Sequence, residues 1–249
     1  MIEAKEISKS FGDKTVMHAV SCTFEAGKTN LIIGKSGSGK TVLLKSLVGL
    51  YNVDRGSIFF DGRDVTRMSR HARQQLRQEV GMIFQGSALF DYMTVLENVR
   101  FPLDMFTNLS PTERTARAQR CLRRVNLDEQ ADNLYPAEIS GGMQKRVAIA
   151  RAIVQNPRYL FCDEPNSGLD PTTAGVIDSL ISEITHESGI TTIINTHDMN
   201  SVFTIGEHIA FIEGGHKLWD GNKDTILNSE CPELRNFMSS AVRLMNLNK

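Results

Sequence analysis

Residues 34–41 read Gly34-Lys35-Ser36-Gly37-Ser38-Gly39-Lys40-Thr41. This is a complete match to G-x-x-x-x-G-K-[ST], the pattern of a phosphate-binding loop. The residue types suit that task. Gly34, Gly37 and Gly39 carry no side chains, so the main chain can wrap closely around a polyphosphate. The backbone N–H groups of the loop, those of Lys35, Ser36 and Ser38 among them, then face the anion together with the N-terminus of the following helix. Lys40 supplies a point charge for the outer phosphates, and the Thr41 hydroxyl reaches Mg²⁺. The flanks agree: Thr29-Asn-Leu-Ile-Ile reads as a buried strand and Val42-Leu-Leu-Lys-Ser-Leu-Val as a helix.

Composition narrows the remaining classes. The chain has 249 residues and a formal net charge of −1, which argues against a general nucleic-acid binder. No apolar run reaches the length of a membrane span. The first residues, Met1-Ile-Glu-Ala-Lys-Glu, carry no apolar signal segment, which predicts a cytoplasmic location. Four cysteines, Cys22, Cys121, Cys162 and Cys231, are widely spaced with no C-x-x-C pair and read as reduced, packed thiols.

Along the chain, residues 1–33 read as short strands with turns at Phe11-Gly12-Asp13 and Glu25-Ala26-Gly27-Lys28. Ser57-Ile-Phe-Phe is a further strand, 69–79 a helix, and Val80-Gly-Met-Ile-Phe a buried strand. Residues 94–155 read as mostly helical, opening on a capping box of Thr94 and Glu97, with an arginine-rich helix over 111–125. Tyr159–Asp163 and Thr191–Thr196 are apolar strands with a helix at about 172–187 between them, and a hairpin surrounds Gly214-Gly215. Strands alternating with helices predict an α/β fold with a largely parallel sheet, an antiparallel β region at the N-terminus and an inserted helical lobe.

Two further segments carry chemistry. Tyr159-Leu-Phe-Cys-Asp163-Glu164 is an apolar strand ending in two carboxylates. Asp163 at its tip suits Mg²⁺, and Glu164 suits the polarisation of an attacking water. Ile139-Ser140-Gly141-Gly142-Met143 precedes a helix rich in Arg and Ala. Ser140 is its expected cap, and the paired glycines leave the helix N-terminus open to an anion.

In this order the motifs resemble an ATP-binding-cassette (ABC) ATPase, over essentially residues 1–225. The resemblance implies a P-loop NTPase (RecA-like) core that binds ATP and Mg²⁺. It implies an ATPase domain over 1–227, a helical subdomain over about 86–156, and a helical tail over 228–249. Phe11 resembles the aromatic that stacks on adenine, and Gln85 the glutamine that senses Mg²⁺ and links the lobes. Ser140, Gly141 and Gly142 resemble the signature that binds the γ-phosphate held by the opposite subunit. Ser167-Gly-Leu-Asp170 resembles the loop joining the two sites, and His197 the switch histidine. The signature departs from the family pattern at Ile139, where Leu is usual, and at Met143, where Gln is usual. Its phosphate contacts come from Ser and backbone N–H groups, so the reaction class is unaffected, while a polar contact near the nucleotide sugar is lost.

The resemblance also implies partners. Each signature serves the nucleotide of a second copy, giving an ATP-sandwiched homodimer. Residues 85–99 lie where the family forms the groove for an integral-membrane permease, with Leu89, Phe90, Tyr92 and Met93 offering an apolar socket. That places the chain peripherally on the cytoplasmic face of the inner membrane. Gly-Ser-Ala-Leu-Phe, the Ser-Gly-Gly-Met signature and Asn98-Val-Arg-Phe-Pro-Leu are similar to the ATPase subunit of Mla-type phospholipid transporters. These also use a lipid-binding protein with an MCE domain. The alternatives are an importer of amino acids or another small solute, a lipoprotein-release ATPase, and a soluble regulatory ABC protein. Arg63, Arg67, Arg70, Arg73 and Arg77 recur at three- and four-residue steps that could share one helix face, solvated or directed at anionic headgroups, with Arg63 expected before the helix starts. In the tail, Leu234, Phe237, Met238, Val242, Leu244 and Met245 fall near helical spacing, either docked on the chain's own core or reaching a partner chain.

Overall fold

The structure, a computed structural model, describes residues 1–247, with side chains described through Ser239. In chain order its strands and helices begin β1 (Ile2–Phe11), β2 (Lys14–Phe24), β3 (Thr29–Ile33), α1 (Lys40–Leu47), β4 (Arg55–Phe60) and β5 (Arg63–Asp64). There follow α2 (Arg70–Gln78), β6 (Val80–Ile83), α3 (Val95–Phe106), α4 (Pro111–Arg124), α5 (Gly141–Ile153), β7 (Tyr159–Asp163) and α6 (Pro171–Ser188). The last are β8 (Thr191–Thr196), α7 (Met199–Ile205), β9 (His208–Glu213), β10 (His216–Gly221) and α8 (Pro232–Leu247). They form two compact units, residues 1–70 with 191–249, and residues 71–190.

In the first unit, β1 and β2 are ten and eleven residues long, not the short strands expected. The turns fall where expected, at Gly12-Asp13 and Ala26-Gly27, and bulges run within the strands between them. The register of the pair slips between Ala4 and Ile7 and again before Lys9, and Glu6 and Ala19 take positive φ of 51° and 47°. The backbone N–H groups of these two residues are satisfied by serine hydroxyls, Ser21 Oγ at 2.9 Å and Ser8 Oγ at 3.0 Å. β1 pairs on its other edge with β4, which pairs with β5, making an antiparallel sheet.

β3 pairs in parallel with both β8 and β9, and β9 turns back through Gly214-Gly215 into β10. Every residue of β3 and β8 is buried, as a strand covered on both faces requires, which explains the unbroken Leu/Ile run. The polar Asn30 is internally bonded: its Nδ2 donates to the carbonyls of Glu25, Lys28 and Thr192. The first turns of α8 dock on this unit. Leu234 and Met238 are buried, and the Phe237 ring lies 5.5 Å from that of Phe211. The side chains of Val242, Leu244 and Met245 lie outside the described residues. Of the arginine row, Arg63 belongs to β5 and Arg67 precedes α2, where it pairs with Asp64 at 3.5 Å, so the five do not share a helix face. A two-residue strand pairing with β4 takes the first of them out of the helical pattern.

In the second unit, β6 and β7 pair in parallel, and α3, α4 and α5 pack on one another. The capping box of α3 forms as read: Thr94 Oγ1 accepts from Glu97 N at 3.3 Å, and Glu97 Oε2 accepts from Thr94 N at 2.8 Å. Ser110 and Glu113 repeat the device on α4. Among the described residues no helix is long and apolar enough to cross a membrane. Cys22 and Cys162 are buried free thiols, and burial pushes Cys22 up to about 12, so neither is a reactive thiolate.

Asn98 decides the path of the chain before α3. Its fully buried amide accepts from Phe90 N at 2.8 Å and donates to the carbonyls of Phe90, Met93 and Thr94 at 3.0–3.1 Å. Asn98→Ala strands these groups away from water. It is expected to cost about 2–4 kcal/mol in a urea unfolding curve, since each orphaned buried group costs ~1–3 kcal/mol. In the first unit, burial lowers the pKa of His208 below its usual value, and its Nδ1 has no partner among the described residues. The unfolded chain takes up a proton as pH falls through about 6.5, and the folded chain does so only lower, so stability present above that pH is lost below it. The urea midpoint should therefore fall between pH 7.5 and pH 5.5, and fall less in His208→Gln.

Candidate functional site

In the first unit the phosphate loop leaves the end of β3 pressed against β9. Gly34 has φ of 151°, and a Cβ there would lie 2.1 Å from the main-chain oxygen of Ile212. Only glycine permits that approach. The turn between β9 and β10 braces the loop from behind: Gly215 N donates to Ser38 O at 3.0 Å, and His18 N donates to Gly215 O at 2.9 Å. Lys35 pairs with Glu213 at 3.5 Å. Lys40 is buried, and its Nζ donates to the carbonyls of Gly34 at 2.9 Å and Lys35 at 3.0 Å, folding the cation into the loop. The Ser38 hydroxyl is buried with no partner among the described residues. A donor orphaned inside a ring of backbone N–H groups fits an incoming oxyanion.

The parallel register aligns Ile33 with Thr196, so Gly34 and His197 leave the sheet from neighbouring strand ends. Asn195, on the same strand, donates through Nδ2 to Thr41 Oγ1 at 3.1 Å. His197 is exposed. Phe11 is 45% exposed and meets the ring of Tyr51 edge to face at 5.3 Å, with Lys9 Nζ 5.3 Å from its centroid. Tyr51 thus braces the ring of Phe11 edge-on.

In the second unit the register of β6 with β7 aligns Ile83 with Cys162, which carries the chain on to Gln85 beside Glu164. Gln85 Nε2 donates to Glu164 Oε2 at 3.0 Å. Asp163 is buried at the strand tip, and Glu164 takes a left-handed φ of 47°. A non-glycine residue held there stores roughly 1–3 kcal/mol of strain, as functional turns often do. Lys145, 5% exposed on α5, donates Nζ to the Gln85 carbonyl. Burial lowers its pKa, and the neighbouring Glu164 charge works against that shift.

The chain after Gln85 continues strained, with Ser87 and Ala88 at φ of 61° and 49°. Arg151, also on α5, holds both of their carbonyls with its two terminal nitrogens at 2.7 Å. Of the expected socket, Leu89, Phe90 and Met93 are half-buried, and the Phe90 ring packs on Phe101 at 4.8 Å, within its own unit. Tyr92 stands out, 74% exposed.

Ser140 caps α5, accepting from Met143 N at 3.2 Å. A Cβ on Gly142 would lie 2.9 Å from Thr173 Cγ2, whereas one on Gly141 would only touch Leu169 at 3.8 Å. Gly142 thus packs the signature against the start of α6. There Asp170 is the cap, accepting from Thr172 N at 3.1 Å and Thr173 N at 3.0 Å. Hydrogen bonds from the Thr173 side chain and from these backbone groups hold its carboxyl below the usual range.

Thus the structure joins Gln85 to Glu164, the signature to the Asp170 loop, and Thr41 to the strand that bears His197. Sequence reading missed Asn195, Lys145, Arg151 and Tyr51. Asn195 had a readable signal, a buried amide in an apolar strand. The other three had none, because their partners lie 60 to 64 residues away in the chain for Lys145 and Arg151, and at the end of β1 for Tyr51.

Residues 17–167 match the family described as ABC transporter. The probable ribonucleotide transport ATP-binding protein mkl of Mycobacterium leprae is 36% identical over 238 residues, covering 96% of this chain and 68% of that protein. The methionine import ATP-binding protein MetN of Carboxydothermus hydrogenoformans is 38% identical over 247 residues, covering 97% and 72%. The chain spans 66% to 74% of the length of the curated relatives it matches. Among solved structures, a dimeric bacterial ABC transporter cassette superposes with a TM-score of 0.82 at 31% identity, over 90% of this chain and 99% of that one. The same cassette in a post-hydrolysis state bound to ADP and Pi superposes at 0.81. With the phosphate loop, the signature and the paired carboxylates built as described, this chain belongs to the ABC transporter family as an ATP-binding, ATP-hydrolysing subunit.

Proposed function

We propose that this chain powers a membrane permease as one of two identical copies that close on ATP and reopen after hydrolysis. The observation that carries the catalytic reading is the 3.0 Å hydrogen bond from Gln85 to Glu164, held at the Gln85 carbonyl by buried Lys145. In this reading the loop N–H groups and Lys40 hold the phosphates, and Phe11 with Tyr51 receives the adenine. Thr41 Oγ1, the Asp163 carboxylate and the Gln85 amide oxygen are hard oxygen donors of the kind Mg²⁺ takes. Mg²⁺, when bound, neutralises charge developing on the transferred phosphoryl group. Glu164 accepts a proton from the attacking water, Gln85 orients that carboxylate, and His197 donates toward the γ-phosphate. Ser140, Gly141 and Gly142 serve the ATP of the second copy, and Asp170 ends the loop that links the two sites. A dimer is supported by the dimeric assembly of the related cassette.

For the cargo we infer a phospholipid, with a permease and an MCE-domain protein as partners at the cytoplasmic face of the inner membrane. The support is the likeness of residues 86–90, 98–103 and 140–143 to Mla-type ATPase subunits. Two of these segments build one structure here: Asn98 clamps the loop that presents Tyr92, and Arg151 holds Ser87 and Ala88. A second reading, a small-solute importer, is favoured by the names of the relatives, which refer to ribonucleotide and methionine transport. Purification from native membranes in mild detergent separates the two. A permease with an MCE-domain protein and bound phospholipid is expected. A permease with a solute-binding protein would overturn the lipid reading, and recovery with no membrane partner would overturn the transporter reading as well.

Glu164→Gln should lower kcat about 100-fold or more while retaining ATP, and an ATP-dependent dimer should then accumulate in size-exclusion chromatography. Failure to trap any dimer would sink the paired-site mechanism. Lys145→Met loses the anchor on the Gln85 carbonyl. It should lower kcat by roughly 10- to 100-fold, with the KM for ATP changed less than about threefold, because the phosphates are held elsewhere.

A further inference from the structure

A cavity of about 670 Å³ on the second unit is lined by Arg117, Arg120, Cys121, Arg123, Arg124 and Asn156. Its charge is concentrated. Helix α4 carries five arginines against one glutamate, in a chain whose formal net charge is −1. The glutamate, Glu113, is committed to the helix cap, and Arg114 is paired with Asp104 at 2.7 Å. Two of the four lining arginines are balanced in part: Arg123 meets Glu129 at 3.4 Å, and Arg124 pairs with Glu187. Arg117 and Arg120 meet no carboxylate among the described residues.

Cations in the last turn favour the helix dipole, which accounts for Arg123 and Arg124. That reason does not reach Arg117 and Arg120, which stand one and two turns further back. Arg117, Arg120 and Arg124 follow one another at steps of three and four, the spacing at which like charges face each other and destabilise a helix by a few tenths of a kcal/mol per pair. All three act on one point, the half-buried Cys121 thiol, whose pKa burial raises and whose three neighbouring guanidiniums pull the other way. Asn156, with an amide able to donate, also lines the cavity, in a left-handed conformation at φ of 53°. Planar guanidiniums lining one concavity suit the tetrahedral oxyanion of a phosphate group, which can accept paired N–H bonds. The volume lies in the range of small-molecule sites, about 300–1,000 Å³.

We propose that this arginine-lined cavity binds a phosphate-bearing anion, with Arg117 and Arg120 as its principal contacts. The chemistry is shared by a soluble phosphorylated metabolite and by a phospholipid headgroup, and the experiment separates them. The full-length protein is saturated with ADP so that the phosphate loop is occupied. Inorganic pyrophosphate is then titrated by calorimetry, and, separately, the protein is floated with vesicles of phosphatidylcholine alone or with one-fifth phosphatidylglycerol. Binding in either arm is expected, falling at least tenfold in Arg117→Gln/Arg120→Gln, with basal ATPase activity within about twofold of wild type. Pyrophosphate binding marks a soluble ligand, and binding only to the anionic vesicles marks a lipid surface. Arg117→Lys/Arg120→Lys keeps the charge but loses the planar fork, and should bind at least threefold more weakly than wild type. Equal binding by the lysine variant would mean diffuse attraction without a site and would overturn the proposal. So would binding, or its absence in both arms, that is indifferent to the glutamine changes. Should the double glutamine variant fail to fold, exposed Arg120→Gln alone carries the same comparison.

Discussion

The phosphate loop of this chain depends on an approach that leaves no room for one carbon atom. Gly34 passes so close to the backbone of Ile212 that a Cβ would overlap its carbonyl oxygen at 2.1 Å. Because β3 and β9 are neighbours in a buried parallel sheet, the loop has nowhere else to go. Pressed there, it is braced by the hairpin turn at Gly215, and its inner space is taken by the Lys40 ammonium on two loop carbonyls. The loop backbone is therefore fixed before any ligand arrives, which lowers the ordering cost of binding.

The second unit solves a different problem, that of holding strained backbone in place. Glu164, Ser87 and Ala88 all sit in the left-handed region without being glycine. Helix α5 offsets this cost from one side. Lys145 fastens Gln85, Arg151 fastens Ser87 and Ala88, and the helix itself begins at the Ser140 cap. Hydrogen bonds from a charged donor are worth about 1.5–3 kcal/mol each, comparable to the strain of each left-handed residue. A single rigid element thus links the signature, the glutamine beside Glu164 and the loop that presents Tyr92. A shift at either end of α5 is felt by all three.

Much of this was legible in advance because it is written in local pattern. The phosphate loop, the capping box of α3, the buried strands β3, β7 and β8, and the acid pair after β7 follow from residue type at short spacing. What was misread has a physical reason in each case. The first two strands are longer than the short ones expected, because bulges at Glu6 and Ala19 are repaired by serine hydroxyls across the pair and do not end the strands. The arginine row is shorter than its spacing suggests, because Arg63 sits opposite Phe60 in the tight β4–β5 hairpin and Arg67 lies before α2. Asn98 looked like part of a family marker and is the buried clamp of the preceding loop.

The sequence by itself determined the fold class, the order of the motifs and the family, because each rests on a short segment whose residue types admit few backbone conformations. Tertiary structure alone decided which groups meet: Lys145 with Gln85, Arg151 with Ser87 and Ala88, Asn195 with Thr41, and four arginines around one cavity. Such pairings depend on strand register and helix docking. Those are set by the sum of many buried contacts, and no local stretch of sequence contains that sum.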